Sequence, residues 1–327
     1  MIERPRRLRQ SAAMRGLVAE NRLHAEQLIL PIFVRENATT TREIKGMPGV
    51  VQHTFDSLRL EIDRAIAAGI GGVMVFAIPD ERDADGSAAC NPNGILNRAV
   101  RAVREQAGDK LVIVADLCLD EFTSHGHCGV LAADGSVDND ATLATYSSMA
   151  IELAKAGAHL VGASGMMDGQ VGVVRTALDQ AGFTGVGILA YAAKYASAFY
   201  GPFRDAVESA LEGDRRTYQQ DPRNRVESMR EVRLDVAEGA DIVMVKPALG
   251  YLDIVRDTAE SVDVPVASYV VSGEMAMIEA AAAAGLIDRE RAILEALHSV
   301  RRAGATIVCT YWALEVAELL TNKKVQF

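Results

Sequence analysis

The 327-residue chain is poor in several features, and each shortage excludes something. Its four cysteines, Cys90, Cys118, Cys128 and Cys309, fall at irregular spacing and do not read as a disulfide framework. Aromatic residues make up only 5% of the chain, and the one basic cluster, Arg4, Arg6, Arg7 and Arg9, has no aromatic interleaving. Basic residues number 34 against 44 acidic ones, for a formal net charge of −10. That balance argues against a general nucleic-acid binder. No apolar run reaches the roughly 18 residues a membrane span needs. The basic N-terminus lacks the apolar core of a secretory signal. Neither a dinucleotide fingerprint nor a Walker A motif occurs. The expectation is a cytoplasmic chain that engages neither nucleic acid nor membrane.

Apolar residues, in contrast, make up 49% of the chain, enough for a sizeable core. Strand-like apolar runs recur at Leu28–Val34, Gly72–Ile78, Lys110–Leu119, His159–Ser164, Gly185–Tyr191, Asp241–Pro247, Val264–Val271 and Ala305–Trp312. Helical spacing fills Asp56–Ala68, Ile95–Gln106, Ala141–Ala156, Gly169–Ala181 and Arg225–Glu238. Glycine at 69, 157, 182, 239 and 304 ends several of these helices, as βα repeats do. Eight strands with intervening helices predict an α/β fold, a (β/α)8 TIM barrel over residues 26–327. Residues 1–25 form an N-terminal arm outside the barrel count. Met14, Leu17 and Val18 give it an apolar helical stripe suited to a neighbouring subunit.

Chemistry in such a barrel lies at the C-terminal ends of the strands. Two of those ends carry a lysine, Lys194 and Lys246. An ammonium at the end of an apolar strand is costly to desolvate, and a second cation nearby raises the cost. Both effects favour the neutral amine that Schiff-base chemistry requires. A second stretch runs Asp116–Leu–Cys118–Leu–Asp120 and continues to Cys128 through a loop with His125 and His127. Asp116, Cys118 and Asp120 alternate, so an extended strand puts them on one face. Two thiolates and a carboxylate would make three metal ligands with a fourth position open, the pattern of a catalytic zinc site. His125 and His127 are alternative ligands. Downstream, Arg204, Arg215 and Arg216 lie on polar loops that could clamp a carboxylate bidentately and cover the lysines.

These segments carry a resemblance across essentially the whole chain. They are Tyr191–Ala–Ala–Lys194–Tyr–Ala–Ser with Phe199–Tyr–Gly–Pro–Phe–Arg204, Met244–Val–Lys246–Pro with Tyr251–Leu–Asp, Thr123–Ser–His–Gly–His–Cys128–Gly, Met166–Met–Asp–Gly169 and Val271–Ser272–Gly–Glu274. The chain resembles the porphobilinogen synthase (5-aminolaevulinate dehydratase) family. The resemblance implies a lyase that condenses two 5-aminolaevulinate molecules into a pyrrole, the first common precursor of haem and other tetrapyrroles. It implies Schiff bases on both lysines, with Lys246 at the propionate-side (P) site and Lys194 at the acetate-side (A) site. Ser272 and Tyr311 match binders of the P-side carboxylate. Arg204, Arg215 and Gln219 match A-side binders. Asp116 and Ser164 match polar residues lining the site. Cys118, Asp120 and Cys128 fall on the metal positions, with zinc the expected ion. Here an aspartate replaces one of the three cysteines of zinc-dependent members, which should weaken zinc binding. Glu231 matches the ligand of an allosteric magnesium, and the assembly implied is a homo-octamer.

The chain departs from the family in places. Gly162–Ala163–Ser164–Gly165–Met–Met–Asp–Gly–Gln170 stands where Ala–Pro–Ser–Asp–Met–Met–Asp–Gly–Arg is common, and Ala190 and Ala192 replace common serines. A class I Schiff-base aldolase, or a diverged relative acting on a related aminoketone, is the alternative expectation.

Overall fold

The computed structural model describes residues 2–322. Ten strands are present among them: β1 (Leu28–Arg35), β2 (Arg42–Glu43), β3 (Val51–His53), β4 (Gly72–Ile78) and β5 (Val112–Leu117). They continue as β6 (Leu160–Ala163), β7 (Gly187–Lys194), β8 (Ile242–Lys246), β9 (Val266–Val270) and β10 (Ile307–Thr310). Eight of them, β1 and β4 to β10, pair in parallel and in chain order. Leu28↔Val308 and Ile29↔Cys309 close β10 onto β1 to complete the TIM barrel. The eight strands are those expected from the apolar runs, trimmed by one or two residues at most ends, with β1 and β7 running one and three residues further at their C-terminal ends.

Every residue of β4 is buried, because a parallel strand covered on both faces has no solvent side. The helices are one-sided. α1 (Ala12–Leu17), α2 (Phe55–Ala68), α3 (Ile95–Ala107), α4 (Asn139–Ala156) and α5 (Gln170–Gln180) precede β7. α6 (Gly201–Ala206), α7 (Val226–Glu238), α8 (Leu252–Ser261), α9 (Ser272–Ala283), α10 (Arg289–Ala303) and α11 (Ala313–Asn322) follow. α3 buries Ile95, Ala99, Val100 and Val103, one stripe at helical spacing against the sheet. Thr54, Asp138 and Asp288 accept backbone N–H bonds at the starts of α2, α4 and α10. Gly157 and Gly239 end α4 and α7 in the left-handed conformation that side chains resist.

One feature was not legible in the apolar pattern. β2 and β3 form a small antiparallel pair, and β3 runs beside the end of β1 at Phe33↔Gln52 and Val34↔His53. These strands have two and three residues, too short to show a period. The arm is a short 3-10 turn (Pro5–Arg9) followed by α1, and neither has a buried residue. Ile2, Leu8 and Leu17 stand 93%, 51% and 76% exposed, so the arm offers its apolar side chains outward. No described helix is long and apolar enough to cross a membrane.

Candidate active site

The two lysines meet through a fault in strand register. On β7 and β8, Ala190 pairs with Val243, but Ala193 pairs with Val245 and Lys194 with Lys246. β7 therefore spends one extra residue where β8 spends none. Without that bulge, Lys194 and Lys246 would fall on opposite faces, since side chains alternate along a strand. The bulge re-aims one of them, a common use of bulges beside active sites. Both lysines end buried, at 5% and 6% exposure. The Lys194 ammonium donates to the Ser164 carbonyl at 2.5 Å.

Lys246 has a different setting. Its Nζ lies 4.5 Å from the Tyr269 ring, 5.1 Å from Phe203, 5.2 Å from Tyr191 and 5.3 Å from Tyr200. Burial lowers its pKa to about 8, helped by the charge of Lys194. A useful fraction is therefore a neutral amine near pH 8. Sequence reasoning missed this aromatic wall, although Tyr191, Tyr200 and Phe203 all sit inside the quoted motifs.

Acidic and sulfur side chains gather near Lys194. β5 ends at Leu117, and Phe122 and Thr123 donate back to the Leu119 carbonyl. Asp120 thus sits on a turn and not on an extended strand, as the alternation had implied. The turn still brings the ligand atoms of Cys118, Asp120 and Cys128 within 4.8 Å of one another. Asp116, Asp120 and Glu121 form an overlapping group on the same scale. Glu121 was not anticipated, because no periodicity marks a carboxyl that a turn buries. Burial raises the pKa of Asp116 to about 7, with the charge of Asp120 adding to the rise. For Asp120 the penalty of burial is outweighed by Arg215 and Lys194, and its pKa falls to about 2. His125 and His127 turn elsewhere, to the Ala84 carbonyl and the Tyr218 hydroxyl, each at 3.1 Å.

The segment after β7 covers this mouth. Gly273 would place an added Cβ 2.5 Å from the Phe199 carbonyl oxygen, so only glycine lets the start of the cover dock on α9. Ser272 Oγ accepts from the Phe203 backbone N–H at 3.0 Å. Tyr269 donates its hydroxyl proton to Tyr311 at 2.9 Å. Both expected P-side carboxylate binders are therefore engaged within the protein here, and neither borders the cavity. Arg204, Arg215, Gln219, Asp116 and Ser164 do border it, with both lysines. Arg215 donates to Asp120 Oδ2 and to the Gly126 carbonyl, both at 2.8 Å. Ser164 donates to Asp116 at 3.0 Å. The remaining cavity holds about 20 Å³. That is room for about one water, so a larger molecule enters only when the cover moves. Among the described residues, Asp116 Oδ2, Glu121 Oε1, Arg215 Nε and Gln219 Nε2 are buried without a hydrogen-bond partner. Three of these residues, Asp116, Arg215 and Gln219, border the one cavity, and unsatisfied polar atoms gathered there are the mark of a ligand site.

Glu231 lies apart, on α7, beside a second cavity of about 370 Å³ shared with Asp168, Asn139 and Glu227. Burial raises its pKa, and Asp168 and Glu227 add to the rise.

Comparison with known proteins agrees with this geometry. The family model for delta-aminolevulinic acid dehydratase matches residues 2–319. The delta-aminolevulinic acid dehydratase of Streptomyces coelicolor is 60% identical over 319 residues, covering 97% of each chain. That of Mycobacterium tuberculosis is 59% identical, covering 98% of each. The crystal structure of the Toxoplasma gondii enzyme in complex with its reaction product, porphobilinogen, superposes with a TM-score of 0.96 at 42% identity. It covers all of this chain and 95% of that one. A buried lysine pair at the mouth of a closed barrel and relatives matched end to end lead to the same conclusion: this chain belongs to the delta-aminolevulinic acid dehydratase, or porphobilinogen synthase, family.

Proposed function

We propose that the chain condenses two 5-aminolaevulinate molecules into porphobilinogen with loss of two waters, and that each ketone is held as a Schiff base on one of the paired lysines. The observation that carries this reading is the register Lys194↔Lys246, which brings two buried amines to one cavity. Lys246, the amine with the depressed pKa, attacks the first ketone carbon and loses water to give an iminium. Lys194 does the same with the second. Each iminium draws electron density from its neighbouring carbon. One iminium loses a proton from that carbon to become an enamine, which bonds to the other's iminium carbon. The free amine of one substrate closes the ring and displaces one lysine, the other lysine leaves by elimination, and loss of a ring proton completes the pyrrole. Arg204, Arg215 and Gln219 hold the A-side carboxylate. Ser272 and Tyr311 hold the P-side carboxylate once the cover has moved. Incubation with 5-aminolaevulinate should yield porphobilinogen. A chain that turns over another aminoketone, and not this one, would contradict the reading.

Cys118, Asp120 and Cys128 fit a divalent ion by donor type and spacing, with zinc first among candidates. When bound, such an ion supplies Lewis acidity beside the A-side amine. Asp116, held by Ser164 and facing both lysines, is placed to exchange a proton within the site.

The Lys246 setting gives a pH prediction. Only the neutral amine attacks, so borohydride trapping of substrate on Lys246 should speed up as pH rises and level off above about 8. A rate that is flat from pH 6 to pH 9 would place the nucleophile elsewhere.

Glu231 and its neighbours Asp168 and Glu227 suit a magnesium ion acting through assembly, because a hard cation would relieve their mutual repulsion. The outward apolar arm suits packing on another copy, as in an octamer. Glu231→Ala should abolish magnesium activation while sparing basal turnover, and shrink the particle seen by light scattering. An unchanged magnesium response would remove Glu231 from the account.

A further inference from the structure

The departures at Gly165 and Gln170 acquire a physical reason once their surroundings are visible. Gly165 is not among the residues with a left-handed backbone, so it is not needed for conformational freedom. It is needed for space. A Cβ there would lie 2.1 Å from the Tyr146 hydroxyl oxygen, 2.6 Å from its ring carbon Cζ and 2.8 Å from Gln170 Oε1. No side chain larger than hydrogen fits while Tyr146 stands where it does.

Tyr146 is fully buried on α4 and points at both cysteines of the candidate metal group. Its hydroxyl donates to the backbone carbonyl of Cys128 and lies 3.8 Å from Cys118 Sγ. A tyrosine hydroxyl has one proton to donate. Here that hydroxyl lies between a carbonyl on one cysteine-bearing segment and a sulfur on the other. Gln170 braces the same region. Its Nε2 donates at 3.5 Å to the carbonyl of Leu117, the residue before Cys118, and its Oε1 accepts from Met167 N–H at 3.3 Å.

We propose that Tyr146, admitted by the missing side chain at Gly165, is a positioning residue that sets the spacing of Cys118 and Cys128 for a thiophilic divalent ion. The proposal rests on Cys118, Asp120 and Cys128 being that ion's ligands. Outer partners of metal ligands typically change affinity by about 10–100-fold when removed. The effect matters more in a set where a carboxylate stands for one thiolate, because two sulfurs carry most of the soft-ion preference. Tyr146 would touch neither substrate nor ion.

The test uses the full chain loaded with Co²⁺, whose thiolate charge-transfer absorption reports sulfur ligation without any turnover. Affinity is measured by competition with a chelator. Tyr146→Phe keeps the ring and removes the hydroxyl. It should weaken Co²⁺ binding by about 10-fold or more and shift the charge-transfer band. Gly165→Ala should do the same by pushing the tyrosine away. Tyr146→Leu combined with Gly165→Ala refills the volume, so it should recover thermal stability relative to Gly165→Ala without recovering affinity. A role in packing alone would restore both. Wild-type affinity and spectrum in Tyr146→Phe would overturn the proposal. Cys118→Ser separates the two levels of the argument. If it keeps the wild-type band, the ligand assignment falls and this inference falls with it. If it loses the band while Tyr146→Phe keeps it, only the tyrosine's role is refuted.

Discussion

Lys246→Ala is expected to lower porphobilinogen formation by roughly 10⁴-fold or more, the scale seen when a nucleophile that works as part of a unit is removed. The reason lies in its surroundings. Four aromatic rings within 5.3 Å of Nζ leave the amine little water and so favour its neutral form. Lys194 Nζ reaches one of those rings as well, Tyr191 at 5.6 Å. Lys194 faces Ser164 and the acidic group, so it cannot replace Lys246 without leaving its own place. Lys194→Ala should also stop product formation, yet leave one substrate able to form a Schiff base on Lys246. The two variants should therefore separate in single-turnover mass spectrometry, with adduct retained in Lys194→Ala and lost in Lys246→Ala. Equal adduct in both would mean that the lysines do not divide the work.

Removing divalent ions by exhaustive chelation is expected to reduce turnover by about 10²-fold or more, within the range of losing a general acid–base function. Added zinc should restore it. The ion should be lost more readily than from a three-thiolate site, for two reasons visible in the geometry. A carboxylate is the harder ligand, and Asp120 already pairs with Arg215 at 2.8 Å with both side chains nearly buried. Asp120→Cys should therefore tighten zinc while freeing Arg215 from its partner. Full activity in a sample shown by elemental analysis to hold no divalent ion would show that the lysines suffice alone.

The barrel was legible because its signal is redundant. Each strand is an apolar run buried on both faces, and several helices close with a glycine, so errors of a residue or two at the ends do not change the topology. The lysines were legible because a cation at the end of an apolar strand is costly enough to need a reason. What could not be read was anything set by tertiary approach. The β7 bulge leaves no mark in the run of alanines around it, yet it decides that the lysines share a cavity. Asp120 reached the cysteines by a turn, although alternation had pointed to a strand. Ser272 and Tyr311 were named as carboxylate binders, but their hydroxyls are turned to Phe203 and Tyr269 beneath the closed cover. Glu274 stood in a quoted motif without a role. Its buried carboxylate accepts from Leu249 N–H at 2.6 Å and Val271 N–H at 2.8 Å, tying the turn after Lys246 to the start of α9. The Leu249 link joins residues 25 apart in the chain, where periodicity has nothing to say.

The central claim is that Lys194 and Lys246 each carry a substrate ketone. Its most direct test is borohydride reduction of the enzyme during turnover of 5-aminolaevulinate, followed by peptide mapping. The account predicts secondary-amine adducts on the peptides containing Lys246 and Lys194, with Lys246 labelled first. Active enzyme that yields no adduct on either peptide would contradict it.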